Sequence, residues 1–104
     1  MVTKSERLRN ILLNEKDYVI KQMEKIMAEM DLLPNGTLNI KSKSNKEYFY
    51  LVQLINGKTK AHYLGTSDTV NVNELREQLN KRKRLKAELK DCRIELNDIN
   101  KFLK

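Results

Sequence analysis

The sequence predicts an α+β fold in which two long antiparallel, coiled-coil-like helices flank a three-stranded antiparallel β-sheet. Three observations carry that expectation. Apolar residues recur at steps near 3.6 over the first and last thirds of the 104-residue chain, the spacing of one helix face. Between them, KEYFYLVQLINGKTKAHYLG from Lys46 to Gly65 alternates aromatics and aliphatics with polar and cationic residues, the period of a strand. That run breaks once, at Asn56-Gly57, and Asn-Gly between alternating runs is the strongest short-range hairpin signal, because a type I′ turn needs positive φ at both positions.

The first helix is expected over residues 3–33. Leu8, Leu12, Val19, Met23, Ile26, Met30 and Leu33 form its stripe, widened by Ile11, Tyr18 and Met27. Thr3 with Glu6 makes a capping box at its start, and Pro34-Asn35-Gly36 stops it, since proline cannot continue the hydrogen-bond ladder. Met23, Met27 and Met30 read as seam residues rather than an adaptable binding groove.

Residues 37–65 hold the sheet. Thr37 to Lys41 alternates, Ser42 to Asn45 reads as a turn, and the Asn56-Gly57 hairpin sets a register that pairs Ile55 with Lys58, Tyr50 with Tyr63 and Phe49 with Leu64. Opposed residues share a face. One face of the hairpin then carries Tyr48, Tyr50, Val52, Leu54, Thr59, Ala61 and Tyr63, without charge; the other carries Phe49, Leu51, Gln53, Ile55, Lys58, Lys60, His62 and Leu64. Burying unpaired lysines costs several kcal/mol each, so the uncharged face is expected inward and the Lys60/His62 face outward.

The last helix, residues 71–103, is read from Leu75, Leu79, Arg82, Leu85, Leu89, Cys92, Leu96, Ile99 and Leu103, with Asn71 and Glu74 as its capping box. Cys92 falls on the apolar stripe and reads as core; alone, it cannot close an internal disulfide or build a cysteine zinc site. No apolar run marks a signal peptide or membrane span. A single domain is expected, in the cytoplasm of a bacterial host cell.

Charge points to the partner. Lys and Arg number 21 against 14 Asp and Glu, giving +7, a balance that favours nucleic acid, anionic lipid or an acidic protein surface. Residues 1–34 carry six cations and six anions and residues 87–104 four of each, so the excess lies between Asn35 and Lys86, with eleven cations against four anions. Within it, KRKRLK from Lys81 to Lys86 is the densest run, and the acids at i±4 are too few to neutralise it. Cations interleaved with aromatics suit phosphates and bases together. The candidate binding residues are Lys41, Lys43, Lys58, Lys60, His62, Gln53, Lys81, Lys83 and Arg84, with Gln53, His62 or Asn39 able to supply sequence preference.

Catalysis is not expected. His62 is the only histidine, glycines number three, and no phosphate-cradling loop, nucleophile elbow or metal-ligand cluster occurs. No cofactor and no metal are called for.

The order helix, LPNGTL, KEYFYLVQL, NGK, HYLG, long basic helix resembles a family of small uncharacterised proteins from phages, plasmids and other mobile elements, whose members look like a leading helix, a "PGSL" strand, a "YYYL" strand, a "GGK" turn, a "YLG" strand and a coiled-coil helix. Pro34 to Leu38, Tyr48 to Leu51, Asn56 to Lys58 and Tyr63 to Gly65 are the counterparts. The chain lacks the CxxCxC-like segment that some relatives carry, so the resemblance implies no metal; it implies the fold and no activity. YFYLVQLINGKTKAHYLG is also distantly similar to the arm-site DNA-binding sheet of phage-type integrases, which implies strands in a DNA groove and, without a recombinase domain, no catalysis. The leading expectation is a non-catalytic nucleic-acid-binding protein. The alternative is a phage-encoded, anti-CRISPR-like inhibitor of a host defence nucleoprotein, and a third is a homodimer closed through the helices.

Overall fold

The computed structural model describes residues 3–104. It contains α1 (Lys4–Asp31), β1 (Thr37–Lys43), β2 (Lys46–Ile55), β3 (Lys58–Thr66) and α2 (Val72–Leu103), with the strands ordered β1-β2-β3 and all pairs antiparallel. The helices flank the sheet in sequence, as expected. The residues group into two compact units, one of the residues up to Leu32 with Arg84–Lys104, the other of Leu33–Lys83.

In the helical unit, Thr3 caps α1. Its Oγ1 accepts from the Glu6 N–H (3.2 Å) and its carbonyl from the Arg7 N–H (3.0 Å), satisfying donors that the first turn otherwise leaves open. Leu32 closes the helix by donating to the Glu29 carbonyl (3.2 Å), and Pro34 prevents continuation. Val19, Ile26 and Met30 are buried along α1, and Leu85, Leu89 and Ile99 along α2; each such side chain stabilises by about 1.5–3 kcal/mol. Free Cys92 is half-buried among the α2 positions. The Arg9 guanidinium donates to the Leu103 carbonyl (3.2 Å), joining the start of α1 to the end of α2, so the two run antiparallel. Arg9 thus already sits opposite the last helical residue of α2. Leu8, Ile11, Tyr18 and Met27, expected on or widening the buried stripe, are exposed, so the stripe that packs is the narrower one through Val19, Ile26 and Met30.

In the sheet unit, Asn71 caps α2. Its Oδ1 accepts from the Glu74 N–H (3.1 Å) and its Nδ2 donates to Glu74 Oε2 (3.4 Å). Asn56 and Gly57 turn the β2–β3 hairpin at φ 52° and 77°, as their sequence predicts. Ser44 and Asn45 do the same between β1 and β2, at φ 54° and 63°, so β1 runs on to Lys43 rather than ending at Lys41.

The β2–β3 register follows the expected pairs from Ile55–Lys58 to Tyr50–Tyr63, then shifts: Phe49 opposes Gly65, not Leu64. The cause lies just downstream. The Thr69 hydroxyl donates to the Thr66 carbonyl (3.2 Å) and accepts from the Thr66 N–H (3.1 Å), while the Thr69 and Val70 N–H groups both donate to that carbonyl (3.0 Å each). This tight turn brings Thr69 against the backbone of Gly65 (φ 138°), where a Cβ would collide with the Thr69 hydroxyl and lie 3.0 Å from Val70 Cγ2. Glycine is required there, and the bulge accommodates it.

The sheet does not bury the face expected. Phe49 is only 2% exposed, whereas Leu54 is 73% and Tyr63 57% exposed. The reason is β1. Leu38 pairs with Leu51 and Ile40 with Phe49, so the third strand adds its two aliphatic side chains to the Phe49 face, and a cluster of four apolar residues outweighs what the hairpin alone offers. Leu38, Ile40 and buried Leu79 line one groove, which places the first turns of α2 along that face. Lys58 and Lys60 share it without penalty, because they stand at its Asn56-Gly57 end, exposed to water; at ~3.4 Å per residue that end is about 20 Å from Phe49.

Candidate nucleic-acid interface

The register sorts the candidate residues into three places. Gln53, Lys58, Lys60 and His62 occupy the Phe49 face toward the Asn56-Gly57 turn, with Gln53 opposite Lys60 and Leu51 opposite His62. Lys41 and Lys43 lie on the other face, opposite Tyr48 and Lys46, at the Ser44-Asn45 end. Lys81, Lys83 and Arg84 are exposed on α2. All the candidate lysines, Arg84 and His62 reach solvent; Gln53 is half-buried. The sheet cations therefore do not form one cationic face: they stand on opposite faces at opposite ends. Phe49, expected to stand beside Lys60 and His62 as an exposed aromatic, is buried.

Gln53 has a structural task. Its Nε2 donates to the Asn35 carbonyl (2.5 Å), holding the chain that leads into β1. Gly36 lies against the same strand, where a Cβ would meet the Val52 carbonyl oxygen at 2.7 Å, at φ 140°. This hydrogen bond takes one of the two carboxamide N–H donors and fixes the orientation of the group that a base reader would use.

Lys83 belongs to a groove of about 290 Å³ lined by Gly36, Thr37, Leu38, Ile40, Arg76, Leu79, Asn80 and Lys83. Arg76, Asn80 and Lys83 recur on α2 at helical spacing and line this groove together with Thr37, Leu38 and Ile40 of β1. Two cations and no carboxylate line this groove, a favourable setting for an anionic chain. A second groove, about 330 Å³ and bounded by Leu64, Val70, Glu74 and Gln78 among others, contains one carboxylate and no cation.

Tyr48, Tyr50 and Tyr63 were the residues least visible as a site in the sequence. They share the face of Lys41, Lys43 and Lys46. The Tyr50 and Tyr63 ring centroids are 5.4 Å apart, those of Tyr48 and Tyr63 6.4 Å, and Lys41 Nζ stands 5.0 Å from the Tyr50 ring centre. Recognising Ser44-Asn45 as a two-residue turn would have brought lysines and tyrosines together, since it fixes Lys43 opposite Lys46 and Lys41 opposite Tyr48.

Among the described residues no group of His, Cys, Asp and Glu is placed to hold a metal ion, and no helix is long and apolar enough to cross a membrane. No family model, curated protein or solved structure matches this chain.

Proposed function

We propose that this chain is a non-catalytic nucleic-acid-binding protein that acts in the cytoplasm and grips the sugar-phosphate backbone through its basic middle section. The observation that carries this reading is the distribution of charge. All of the net +7 arises between Asn35 and Lys86, and the cations of the two hairpins are exposed, as are Arg76, Lys81, Lys83 and Arg84 of α2, while Arg82 is half-buried. Each phosphate neutralised by such a side chain releases condensed counterions, so affinity comes with a steep dependence on salt. Lys41, Lys43, Lys58, Lys60, Lys81, Lys83 and Arg84 supply the contacts in this proposal, joined by Lys46 and Arg76. His62, at the middle of β3, is placed for a base or sugar contact.

The test is a titration of the purified full chain with labelled DNA duplex, single-stranded DNA and RNA at several salt concentrations. Affinity is expected to fall linearly on logarithmic axes. Replacing Lys58 and Lys60 by Gln should reduce the slope by about two, roughly one for each phosphate left unneutralised. Affinity that does not change with salt, or a captured protein complex that survives nuclease, would transfer the basic surface to an acidic protein partner.

A further inference from the structure

We infer that the tyrosine face of the sheet is a stacking platform for unpaired nucleobases, which makes a single strand, DNA or RNA, the ligand of this surface. The inference rests on the nucleic-acid reading above and adds the class of strand. Aromatic residues of a folded sheet are ordinarily taken inside. Here the Phe49 face is the packed one, and Tyr63 is left 57% exposed at the centre of the outer strand β3. Tyr50 and Tyr48 lie alongside, 5.4 and 6.4 Å from it by ring centroid, so the rings form a contiguous patch rather than isolated side chains.

The charge on this face selects the occupant. Lys41, Lys43 and Lys46 stand at one end of the patch, and the paired strand residues on this face include no carboxylate, since Glu47, opposite Ser42, points to the other side. Lys41 Nζ is 5.0 Å from the Tyr50 ring centre, which sets a cation and an aromatic face side by side. A nucleic-acid strand offers what this combination binds, flat π faces next to phosphates. In a duplex those base faces are covered by their neighbours, and only an unpaired strand can present them to a sheet. A hydrophobic protein surface would leave three lysines facing apolar groups.

The chain has no Trp and four Tyr, and all but Tyr18 lie on this face, so intrinsic fluorescence reports on it directly. In low salt, titrating the full chain with a short oligo(dT) or oligo(rU) should quench tyrosine emission, and a base-free sugar-phosphate strand of equal length should quench it far less. Tyr63→Ala should weaken the single strands on the order of tenfold, the scale of one base stack, with the salt slope and duplex binding unchanged; Tyr63→Phe should restore affinity. Melting curves of each variant establish that the fold persists, and the quenching of the unaltered chain needs no variant. Equal quenching by base-free strands, or affinity for single strands that Tyr63→Ala leaves intact, would overturn the platform while sparing the phosphate-binding reading. Failure of every strand and duplex to bind would remove both. Comparison of dT with rU tells whether the 2′-hydroxyl contributes.

Discussion

The two faces of the sheet are built from the same strands and differ in what completes them. The Phe49 face acquires Leu38 and Ile40 from β1 and the first turns of α2 over it; the Tyr50 face acquires Lys41 and Lys43 from β1 and remains open at Tyr63 and Leu54. A charge-free face in a hairpin is therefore no guarantee of burial. The decisive residues belonged to the neighbouring strand, and the four apolar side chains they completed drew the helix to their own side. Lysines tolerated on the packed face lie where the helix no longer reaches.

The largest expected effect tests the packed side. Phe49→Ala should cost about 3–5 kcal/mol, as for other buried aromatics, and for a chain of this size that approaches the whole stability. Tyr63→Ala, on the open face, should cost less than half as much. Urea unfolding of both variants measures the ratio. Comparable destabilisation would mean that the two faces are equally packed.

Gly65→Ala follows. Its φ of 138° and the approach of Thr69 make a Cβ expensive, about 2 kcal/mol from backbone strain alone, and the collision is with a hydroxyl held by two hydrogen bonds to Thr66. Adding Thr69→Ala to the glycine variant should recover little, because it relieves the collision but leaves the φ and removes the clamp. Recovery to full stability in the double variant would show the collision, not the backbone, to be the constraint. The same measurement sharpens the comparison of faces, since the bulge at Gly65 is what ends the regular alternation of β3 beside Phe49.

Ser44→Gly should act in the opposite direction, raising stability by about 0.5–1 kcal/mol. A serine at φ 54° occupies a region that disfavours residues with a Cβ, and glycine enters it freely. If thermal melting finds the variant less stable, the Ser44-Asn45 turn is not strained and β1 owes its register to packing on the Phe49 face instead.

How far the sequence reveals this arrangement depends on how local each determinant is. Helix caps at Thr3 and Asn71 and the Asn56-Gly57 turn are written in adjacent residues: both caps and the turn form as read, with the Glu74 carboxylate meeting the Asn71 side-chain amide rather than its backbone N–H. The β2–β3 register is legible until Gly65, where the deciding atom is the Thr69 hydroxyl, brought close only by the turn that follows. Ser44 carries little turn signal compared with Asn-Gly, so the length of β1 and with it the side on which Lys41 and Lys43 emerge were hidden. The candidate cations were legible as exposed residues, because an unpaired lysine has few alternatives. Their division between two faces was not, since it depends on β1 pairing.

The smallest expected effect probes the open face. Leu54 is 73% exposed, so Leu54→Thr removes little buried area and keeps a side chain that suits a strand; the expected change is within about 0.5 kcal/mol. Apolar surface in water at this position has no stabilising role in the folded chain, and its removal should improve solubility if it alters anything. A drop above about 1 kcal/mol at high dilution, where association is negligible, would mean that Leu54 is covered in solution by another part of the chain. The face it shares with the tyrosines would then be covered at its Asn56-Gly57 end, and the contrast between the two faces would shrink. A drop that appears only at high protein concentration would instead assign the cover to a second copy, because stability gained through association follows mass action.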